Sequence, residues 1–401
     1  MKLINFIFYF IAVLIGYLLG SFLPAYFLAR KLRAVDIRKE GTKNAGTVNT
    51  YHVLGLFPAI IVAIFDVSKG LISLYLGQFI TGSAPGGYLA AAASISGHVF
   101  PFYLKFRGGQ GVATATGLLI YLLGIFYGRG FLPWFSLLLL TFLVIILSWI
   151  ARKGEFVGCF ILPSLFFLIL IFVPFSAAKL FCLIIILYIL AINVLNIWKF
   201  GLWKPSEFAQ KGLIGWRLYL RPLAFLLILI YFKLERKIVL TFLGALTLFF
   251  LVPDLLRLIS GQINRFFFVK VRKIYKEKEK TRFSSISLFL VSFFLTLLLF
   301  EQDIAVVAIS FLIFGDFFSK IFGLRFGRTP FFDKTVQGSL AHLCACLMAG
   351  YILHPFVQIS LPVIFLGALV ASLVEALPLG IDDNLSVALI SASVIYVTRL
   401  F

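Results

Sequence analysis

Two side chains of opposite charge lie within one apolar run of this chain. They belong to the segment Asp66-Val67-Ser68-Lys69-Gly70, which is flanked by long hydrophobic stretches. Residues three apart share one face of a helix, so Asp66 and Lys69 can form an ion pair. Ionisable groups in such a segment are costly and usually mark function, although a purely structural ion pair is the alternative.

A glycine-rich stretch at residues 97–114 comes next. Its glycines can turn tightly and present N–H groups to an anion, and the apolar run after it predicts a helix whose N-terminus faces the loop. The expected ligand is a phosphate, and the alternative is a turn whose charges only anchor the membrane interface. The residues concerned are Gly97, His98, Lys105, Arg107, Gly108, Gly109, Gln110 and Gly111.

A second polar loop, at residues 36–55, is dense in hydroxyl and amide side chains with glycines between them. Such a loop can hydrogen-bond a phosphate and a polyol together, although threonine, asparagine and glycine also suit an ordinary polar turn. We expect it on the same membrane side as residues 97–114, so that the two loops form one site. Its candidate residues are Gly41, Thr42, Asn44, Gly46, Asn49 and His52.

A third group of candidates lies in the second half of the chain and is acidic. Carboxylates at helix ends, beside a lysine and a Gly-Ser pair, are what a Mg²⁺–nucleotide site requires. No G-x4-G-K-[ST] motif is present, and the alternative for the last three residues is a helix N-cap cluster. The candidates are Gly315, Asp316, Lys334, Gly338, Ser339, Glu375, Asp382, Asp383 and Asn384, with Asp316, Asp382 and Asp383 as metal ligands.

Composition places these groups in a membrane. Hydrophobic residues make up 62% of the 401 and only 13% are charged, which predicts an all-α polytopic integral membrane protein. The formal charge of +20 lies mainly in loops, which favours anionic substrates or lipids over nucleic acid. The four cysteines lie in apolar runs, have no zinc-binding spacing and are interpreted as small hydrophobic residues.

About fourteen spans in two bundles are predicted from the apolar runs. The run 4–28 is too long for a signal-peptide core and is taken as the first span. Basic loops at 30–53 and 257–283 are predicted to face the cytoplasm, with both termini outside. The domains are predicted as 1–205 and 217–401, joined by a linker at 206–216, and no internal repeat of the kind found in transporters relates them.

Residues 16–200 resemble the bacterial acyl-phosphate:glycerol-3-phosphate acyltransferase family. The matching stretches are Gly20-Ser21-Phe22-Leu23-Pro24, the 36–55 loop, the 66–70 segment and the 97–114 stretch. The resemblance implies transfer of an acyl group from acyl phosphate to glycerol 3-phosphate in a bacterial inner membrane. The catalytic residues that it implies are Thr42, Asn44, His52, Asp66, Lys69, Lys105, Arg107, Gln110 and, from a looser alignment around Asn193, Asn196.

Two positions depart from that family's pattern in charge. The family carries an arginine where His52 stands and a lysine where Gln110 stands. Loss of two cations from a site for two phosphates removes strong charge-assisted hydrogen bonds, so we expect substrate affinity to fall. The alternative is that the first half is a non-catalytic scaffold that binds lipid phosphates, with only the second half active.

Residues 217–401 resemble the CTP-dependent phytol, dolichol and diacylglycerol kinases. The resemblance implies that CTP or ATP, with Mg²⁺, phosphorylates a lipid alcohol through the catalytic residues Asp316, Lys334, Glu375 and Asp383. It also implies that Asp254, Arg257, Asn264, Gly315, Gly338, Ser339 and Asn384 bind substrate. The family's early R-x-x-H pattern is Arg217-Leu218-Tyr219-Leu220 in this chain, so its histidine is missing.

Overall fold

A computed structural model describes residues 2–203, 221–232, 234–270 and 277–400 of the chain. The predicted linker 206–216 and the segment 217–220 lie outside these ranges. The regular secondary structure within them is helical, apart from one antiparallel pair of two-residue strands, β1 (Pro330–Phe331) and β2 (Lys334–Thr335). The prediction of an all-α membrane protein is therefore confirmed.

Eight helical stretches among the described residues are long and apolar enough to cross a bilayer. The longest single stretch, Ile4–Arg33, has 30 residues, and Gln302–Phe326 has 25. Four apolar helices are shorter, namely Val112–Gly128, Arg221–Tyr231, Ser285–Leu299 and Leu361–Ala376. Several predicted spans therefore correspond to helices below 18 residues, too short to span ~30 Å of hydrocarbon without tilting or thinning it.

The chain divides into two compact units. The first comprises Met1–Leu140 and Glu155–Phe200, and the second comprises Thr141–Gly154 and Gly201–Phe401. The helices up to residue 200 are α1 (Lys2–Ser21), α2 (Pro24–Arg33), α3 (Thr47–Leu54), α4 (Leu56–Thr81), α5 (Ala84–Val99), α6 (Val112–Gly128), α7 (Trp134–Ala151), α8 (Gly154–Phe172) and α9 (Ala177–Lys199).

The first predicted span is interrupted at Phe22 and Leu23, where α1 ends and α2 begins with Pro24. Proline has no N–H, so the carbonyl of Gly20, four residues earlier, loses its helical partner. The Nζ of Lys69 lies 3.1 Å from that Gly20 oxygen and 3.3 Å from the Phe22 oxygen. The break in the helix thus supplies two acceptors for a buried ammonium group.

Helices α1 and α5 pack with their backbones in close contact. A methyl group on Gly16 would collide with the Ala90 carbonyl, one on Gly20 with the Ser94 carbonyl, and one on Gly97 with the Tyr17 carbonyl. Small residues allow membrane helices to approach this closely. Gly97, expected to bind phosphate, is therefore a helix-packing residue, and this close packing holds the start of the 97–114 stretch against α1.

In the second unit, polar caps set several helix starts. Ser284, Thr335 and Asp382 each accept a hydrogen bond from a backbone N–H in the first turn of the helix that follows. The helices after residue 220 are α10 (Phe225–Tyr231), α11 (Arg236–Ile259), α12 (Gly261–Lys270), α13 (Ser285–Leu299), α14 (Gln302–Ser310), α15 (Asp316–Phe326), α16 (Val336–Leu353), α17 (Leu361–Ala376) and α18 (Asp383–Arg399).

A π-helical turn, Phe311–Gly315, joins α14 to α15 in the centre of the second unit. Phe311 is fully buried there and belongs to a core with Ile364, Ala368 and Ile395. Such turns are rare and often occur at functional sites. The turn ends directly before Asp316, so it sets the direction in which α15 presents that carboxylate.

Candidate functional sites

The loop 36–55 is organised around the buried side chain of Asn49. Its Nδ2 donates to the carbonyl oxygens of Ile37, Glu40 and Asn44 at 2.8, 3.0 and 2.9 Å, and its Oδ1 accepts from the Thr42 amide at 2.7 Å. Three of these bonds close the turn that presents Thr42 and Asn44. The structure thus uses Asn49, predicted to bind substrate, to hold the loop, and both N–H groups of its amide bond to carbonyl oxygens of that loop.

Arg38 joins this loop to the 97–114 stretch. Its Nε and Nη2 donate to the two carboxylate oxygens of Asp36 at 2.9 and 2.8 Å. Its Nη1 donates to the carbonyl oxygens of Leu104 and Arg107 at 3.1 and 2.9 Å. The Arg38 side chain lowers the pKa of Asp36, although burial acts in the opposite direction. The two loops expected to share a site therefore lie side by side.

The glycine pair at 108–109 has a different function from the one its sequence indicates. The Gly108 amide donates to the Val99 carbonyl and the Gly109 amide to the His98 carbonyl, both at 3.0 Å. These two N–H groups are thus committed to the backbone and do not face an anion. A side chain on Gly109 would collide with Nε2 of His98, so glycine is needed for close approach. Gly111 caps α6 with a positive φ of 64°.

A cluster of three buried side chains lies next to the glycine pair, where Gly109 approaches the ring of His98. Lys69 Nζ is 2.8 Å from Asp66 Oδ1 and 2.7 Å from His98 Nδ1, while His98 Nδ1 is 3.5 Å from the same Asp66 oxygen. Each of the three side chains is only 1–2% exposed. The predicted Asp66–Lys69 ion pair is thus present, and His98 contacts both of its members.

Gln110 and Asn196 form a neutral amide pair. Gln110 Nε2 donates to Asn196 Oδ1 at 2.6 Å, and Asn196 Nδ2 donates to Gln110 Oε1 at 3.1 Å. The Tyr188 hydroxyl donates to the Gln110 backbone carbonyl at 2.5 Å. Helix α9 therefore supplies both partners that fix Gln110, immediately before α6.

The remaining candidates of the first unit lie toward the surface of these loops. Thr42 and Asn44 are half-buried, whereas His52, Lys105 and Arg107 are exposed. Lys105 has a left-handed backbone with φ of 56°, which turns the chain between Leu104 and the glycines. Gly41 also has a positive φ of 54°, and Gly46 precedes α3 in extended conformation. The structure thus provides hydroxyl, amide and cationic groups around one pair of loops.

In the second unit, Lys334 bridges two carboxylates. Its Nζ lies 2.8 Å from Glu375 Oε1 and 2.6 Å from Asp383 Oδ2, and Ser319 donates to the same Glu375 oxygen at 3.0 Å. Burial lowers the pKa of Lys334, but the two carboxylates raise it overall. Burial is likewise the main cause that raises the pKa of Asp383, against the effect of Lys334. Three predicted catalytic residues thus meet at one point.

Asp316 is neutralised by basic side chains. It pairs with Arg221, which also donates to Asn384 Oδ1 at 2.7 Å, and with Lys320 at 2.8 Å. Asp382 instead caps α18, accepting from the amide and the side chain of Asn384 at 3.0 and 2.6 Å. Asp382 is therefore the helix cap that the sequence left as the alternative.

The predicted metal site does not fit this arrangement. Over the ranges that the structure describes, no three histidine, cysteine, aspartate or glutamate side chains form a group that could hold a metal ion. Asp316 faces Arg221 and Lys320, Asp382 faces Asn384, and Asp383 faces Lys334. The repulsion expected among these carboxylates is relieved by basic and amide side chains, so the geometry provides no reason to invoke Mg²⁺.

Asp254 and Arg257 are fully buried and bind backbone groups. Arg257 Nε donates to Asp254 at 2.7 Å, and its Nη1 and Nη2 donate to the carbonyl oxygens of Glu279 and Arg282 at 2.6 and 2.7 Å. The second Asp254 oxygen accepts from the Ser284 amide at 2.6 Å. These contacts hold the end of the basic loop in place, and they leave neither residue a face toward a substrate.

Four further predicted residues belong to the second unit. Asn264 donates to the Lys280 carbonyl at 2.9 Å, and the Gly338 amide donates to the Thr335 hydroxyl at 3.2 Å, so this amide is used by the cap of α16. A side chain on Gly315 would collide with the ring of His342. The hydroxyl of Ser339 is buried and has no hydrogen-bond partner among the described residues.

Arg38, Arg221, Tyr188 and Ser319 were not predicted as site residues. Arg38 carries a signal in the sequence, because Asp36 stands two positions before it and can form a local ion pair. Ser319 follows Gly315 by four residues, about one turn of a helix. Arg221 pairs with Asp316 and Tyr188 with Gln110 over 95 and 78 residues of sequence, so only the fold brings these pairs together.

Residues 10–200 match the family described as glycerol-3-phosphate acyltransferase. The glycerol-3-phosphate acyltransferase of Shouchella clausii (strain KSM-K16) is 47% identical over 116 residues, 28% of this chain and 55% of that protein. Glycerol-3-phosphate acyltransferase 2 of Moorella thermoacetica (strain ATCC 39073 / JCM 9320) is 34% identical over 155 residues, 39% of this chain and 76% of that protein.

The sequence is also similar to that of a solved structure. The crystal structure of PlsY (YgiH), an integral membrane glycerol 3-phosphate acyltransferase, in the glycerol 3-phosphate form is 25% identical, with a TM-score of 0.37. The alignment covers 48% of this chain and 92% of that chain. The first two curated relatives are matched over 55% and 52% of their own lengths, so the chain spans about half of each.

Proposed function

The chain belongs to the glycerol-3-phosphate acyltransferase family, and on that premise we propose that its first unit transfers an acyl group from acyl phosphate to glycerol 3-phosphate. The observation that carries this proposal is the Arg38 contact, which places the 36–55 loop against the 97–114 stretch. One pair of loops then offers the hydroxyl of Thr42 together with the exposed cations Lys105 and Arg107.

The reaction asks little covalent chemistry of the protein. The 1-hydroxyl oxygen of glycerol 3-phosphate attacks the carbonyl carbon of acyl phosphate, the new ester bond forms, and the bond to the phosphate oxygen breaks. Inorganic phosphate leaves with the electron pair and, as a base, can take the hydroxyl proton. The protein needs to hold two anions near each other and stabilise the oxyanion, which hydrogen-bond donors and cations achieve.

We propose that phosphate affinity at this site is low. The Gln110–Asn196 pair is neutral, and His52 is exposed on α3, so fewer fixed charges surround the loops than a site for two phosphates favours. This observation also favours the alternative function, a scaffold that binds lipid phosphates without turning them over.

Purified full-length protein in lipid nanodiscs, given acyl phosphate and labelled glycerol 3-phosphate, tests the proposal. The expected result is slow formation of labelled lysophosphatidate with a high KM for glycerol 3-phosphate. No product at saturating concentrations of both substrates, with phosphate binding retained, would overturn acyl transfer and establish the scaffold function. A Thr42→Ala variant is the site control, and Thr241→Ala, on α11 of the second unit, is the matched control.

We further propose that the second unit phosphorylates a lipid alcohol from CTP or ATP. The observation in its favour is Lys334, which gathers Glu375 and Asp383 while Ser319 bonds to the same Glu375. The lipid hydroxyl oxygen attacks the γ-phosphorus, the bond to the β-phosphate oxygen breaks, and the nucleoside diphosphate leaves. Asp383, whose pKa burial raises despite Lys334, is suited to accept the hydroxyl proton.

In this proposal, cationic side chains neutralise the charge of the nucleotide phosphates. Lys334, Lys320 and Arg221 supply three positive charges around the carboxylates. A magnesium ion at Asp316 would first have to displace Arg221 and Lys320. The assignment of the phosphate charge to basic side chains therefore agrees with the geometry better than a resident Mg²⁺ does.

A substrate screen tests the second activity. Diacylglycerol, phytol and a polyprenol are offered with radiolabelled CTP or ATP, with and without Mg²⁺. Transfer to one alcohol, lost in Lys334→Met and retained in the matched control Lys237→Met, is expected. Transfer that is undiminished in Lys334→Met, or no transfer to any alcohol, would remove the kinase assignment.

For the location of the chain, we propose a bacterial inner membrane with the site loops of the first unit in the cytoplasm. The support is the concentration of basic residues between α2 and α3, the bias that orients membrane proteins. Accessibility of single cysteines introduced at Thr42 and Ser83 to an impermeant thiol reagent tests this. Labelling of the Thr42→Cys variant from the outside of intact cells would contradict it.

A further inference from the structure

Four acceptors surround the Lys69 ammonium group. Nζ lies 2.8 Å from Asp66 Oδ1, 2.7 Å from His98 Nδ1, 3.1 Å from the Gly20 carbonyl oxygen and 3.3 Å from the Phe22 carbonyl oxygen. An ammonium group has only three protons to donate. Lys69 is 1% exposed and already surrounded, so it has neither a free proton nor a path by which to contact a substrate.

The same contacts determine which nitrogen of His98 carries the proton. A lysine ammonium donates and never accepts, so the nitrogen 2.7 Å away must offer a lone pair. That nitrogen is Nδ1, and in a neutral imidazole the proton then resides on Nε2. The competing arrangement, with Nδ1–H donating to Asp66 Oδ1, is less favoured because that distance is 3.5 Å.

The Nε2 atom is directed at the junction of the two loops. A methyl group built on Gly109 would collide with it and would also lie 2.8 Å from the Ala45 carbonyl oxygen, so Gly109, Ala45 and Nε2 meet at one point. His98 is 2% exposed, and among the described residues none accepts a hydrogen bond from Nε2. A donor at the junction that has no acceptor among the described residues is in a position to bind a ligand that brings an acceptor oxygen.

We propose that Lys69 is a positioning residue that fixes His98 as its Nε2–H tautomer, and that this N–H donates to a phosphate oxygen bound between the two loops. The proposal rests on the proposed acyl transfer for its ligand but not for its tautomer. Asp66 completes the arrangement by keeping Lys69 protonated through their 2.8 Å contact. The phosphate can come from acyl phosphate, from glycerol 3-phosphate or from free inorganic phosphate.

Nitrogen NMR of the whole protein, labelled with ¹⁵N in its histidine rings and reconstituted in lipid bilayers, tests the tautomer without any turnover. The chain has four histidines, and the His98 signals are those that disappear in His98→Gln. The expected spectrum has a protonated Nε2 and an unprotonated Nδ1, and a mixture of tautomers in Lys69→Met. A protonated Nδ1 in the wild-type protein would overturn the proposal.

Ligand titration tests the second part. Inorganic phosphate and glycerol 3-phosphate are added separately, and each should shift the Nε2 signal of His98 but not the signals of His354. A shift with glycerol 3-phosphate alone assigns the acceptor position to that substrate, and a shift with both assigns it to the phosphate group in general. No shift with either ligand, nor with a non-hydrolysable acyl phosphate analogue, would overturn the donor function.

Substitution separates positioning from simple structural support. His98→Gln places an amide N–H near the position of Nε2, whereas His98→Asn places one near Nδ1. We expect His98→Asn to raise the KM for glycerol 3-phosphate by about 10- to 100-fold, the range for a lost hydrogen bond to a charged group, and His98→Gln by much less. Equal effects of both variants would contradict the proposal, with His354→Gln as the control.

Failure of this inference and failure of the proposed acyl transfer give different results. A protein that shows the Nε2–H tautomer and the phosphate-induced shift but no acyl transfer would retain the inference and lose the proposed activity. A protein that transfers acyl groups with His98 in the other tautomer would retain the activity and lose the inference.

Discussion

Gln110 and Asn196 exchange two amide hydrogen bonds, 2.6 and 3.1 Å long, between the start of α6 and the end of α9. The two amide groups bind each other, and both are uncharged, so this pair adds no positive charge beside the loops. A neutral pair at this point limits the affinity of the site for a dianion, because charge-assisted hydrogen bonds are about twice as strong as neutral ones.

Introducing a cation at this pair should strengthen phosphate binding. Gln110→Lys, combined with His52→Arg, is expected to raise kcat/KM for glycerol 3-phosphate by about tenfold or more, as for one new hydrogen bond to a charged group. The steady-state acyl transfer assay measures it. Gln110→Met, which breaks the pair without adding charge, is the matched control. A gain of the same size in the control, or no gain in the double variant, would contradict the prediction.

The Asp36–Arg38 pair should make the junction of the two loops sensitive to acid. Arg38 lowers the pKa of Asp36 below its ordinary value of 3.8, so the carboxylate stabilises the folded state above that value. This contribution is lost as the pH falls from 3.8 through the lower folded pKa. The protection factors for amide hydrogen exchange in residues 101–111 should therefore fall below pH 4 in the wild-type protein.

The Asp36→Asn variant should show fast exchange already at pH 7 and little further change on acidification. Asp303→Asn, whose carboxylate belongs to the second unit, is the control. An acid dependence in residues 101–111 that survives in Asp36→Asn would assign the effect to another group.

Loss of the Asn49 N–H donors should lower the stability of the first unit. Asn49→Asp removes the N–H bonds to three carbonyl oxygens and places a carboxylate beside them, which should destabilise the first unit by about 2–4 kcal/mol. Thermal unfolding in detergent measures it. Thr42→Ala is the control, because Thr42 bonds to Asn49 through its backbone amide. Equal stability of the two variants would show that the Asn49 hydrogen bonds contribute little to the stability of the first unit.

Lys334 should be needed for the stability of its cluster as well as for activity. Lys334→Met leaves Glu375 and Asp383 without their shared cation, at an expected cost of about 1–3 kcal/mol, since the lysine side chain is 29% exposed and partly screened. The triple variant Lys334→Met, Glu375→Gln, Asp383→Asn should recover most of that loss. Failure of the recovery, measured by thermal unfolding, would show that the three groups do not form one electrostatic unit.

Local patterns in the sequence predicted a large part of this arrangement. The apolar runs predicted a helical membrane protein, because burial of the backbone in lipid leaves helices as the main solution. The spacing of Asp66 and Lys69 predicted their ion pair, since residues three apart share a helix face. Asp382 was an N-cap in one of the two interpretations that its sequence allowed.

The same patterns did not indicate the partners of several residues that contact distant parts of the chain. Glycine at 97, 108 and 109 indicated an anion-binding backbone, whereas in the structure these glycines pack closely against α1, the His98 carbonyl group and the His98 ring, respectively. Asp254 and Arg257 indicated a substrate site, but their partners are backbone groups of residues 279–284. The type of a residue indicates that a polar or small group is needed at its position. It does not indicate which group that residue contacts in the folded chain.

By itself the sequence determined the class of the protein, the family of its first half and the loops that carry its polar residues, because these depend on composition and on short spacings. Only the tertiary structure decided which groups those residues contact. Arg38 meets Leu104, Lys69 meets His98, and Gln110 meets Asn196 across separations of 66, 29 and 86 residues. A hydrogen bond depends on distance in space, and the folded chain alone sets that distance for residues so far apart in sequence.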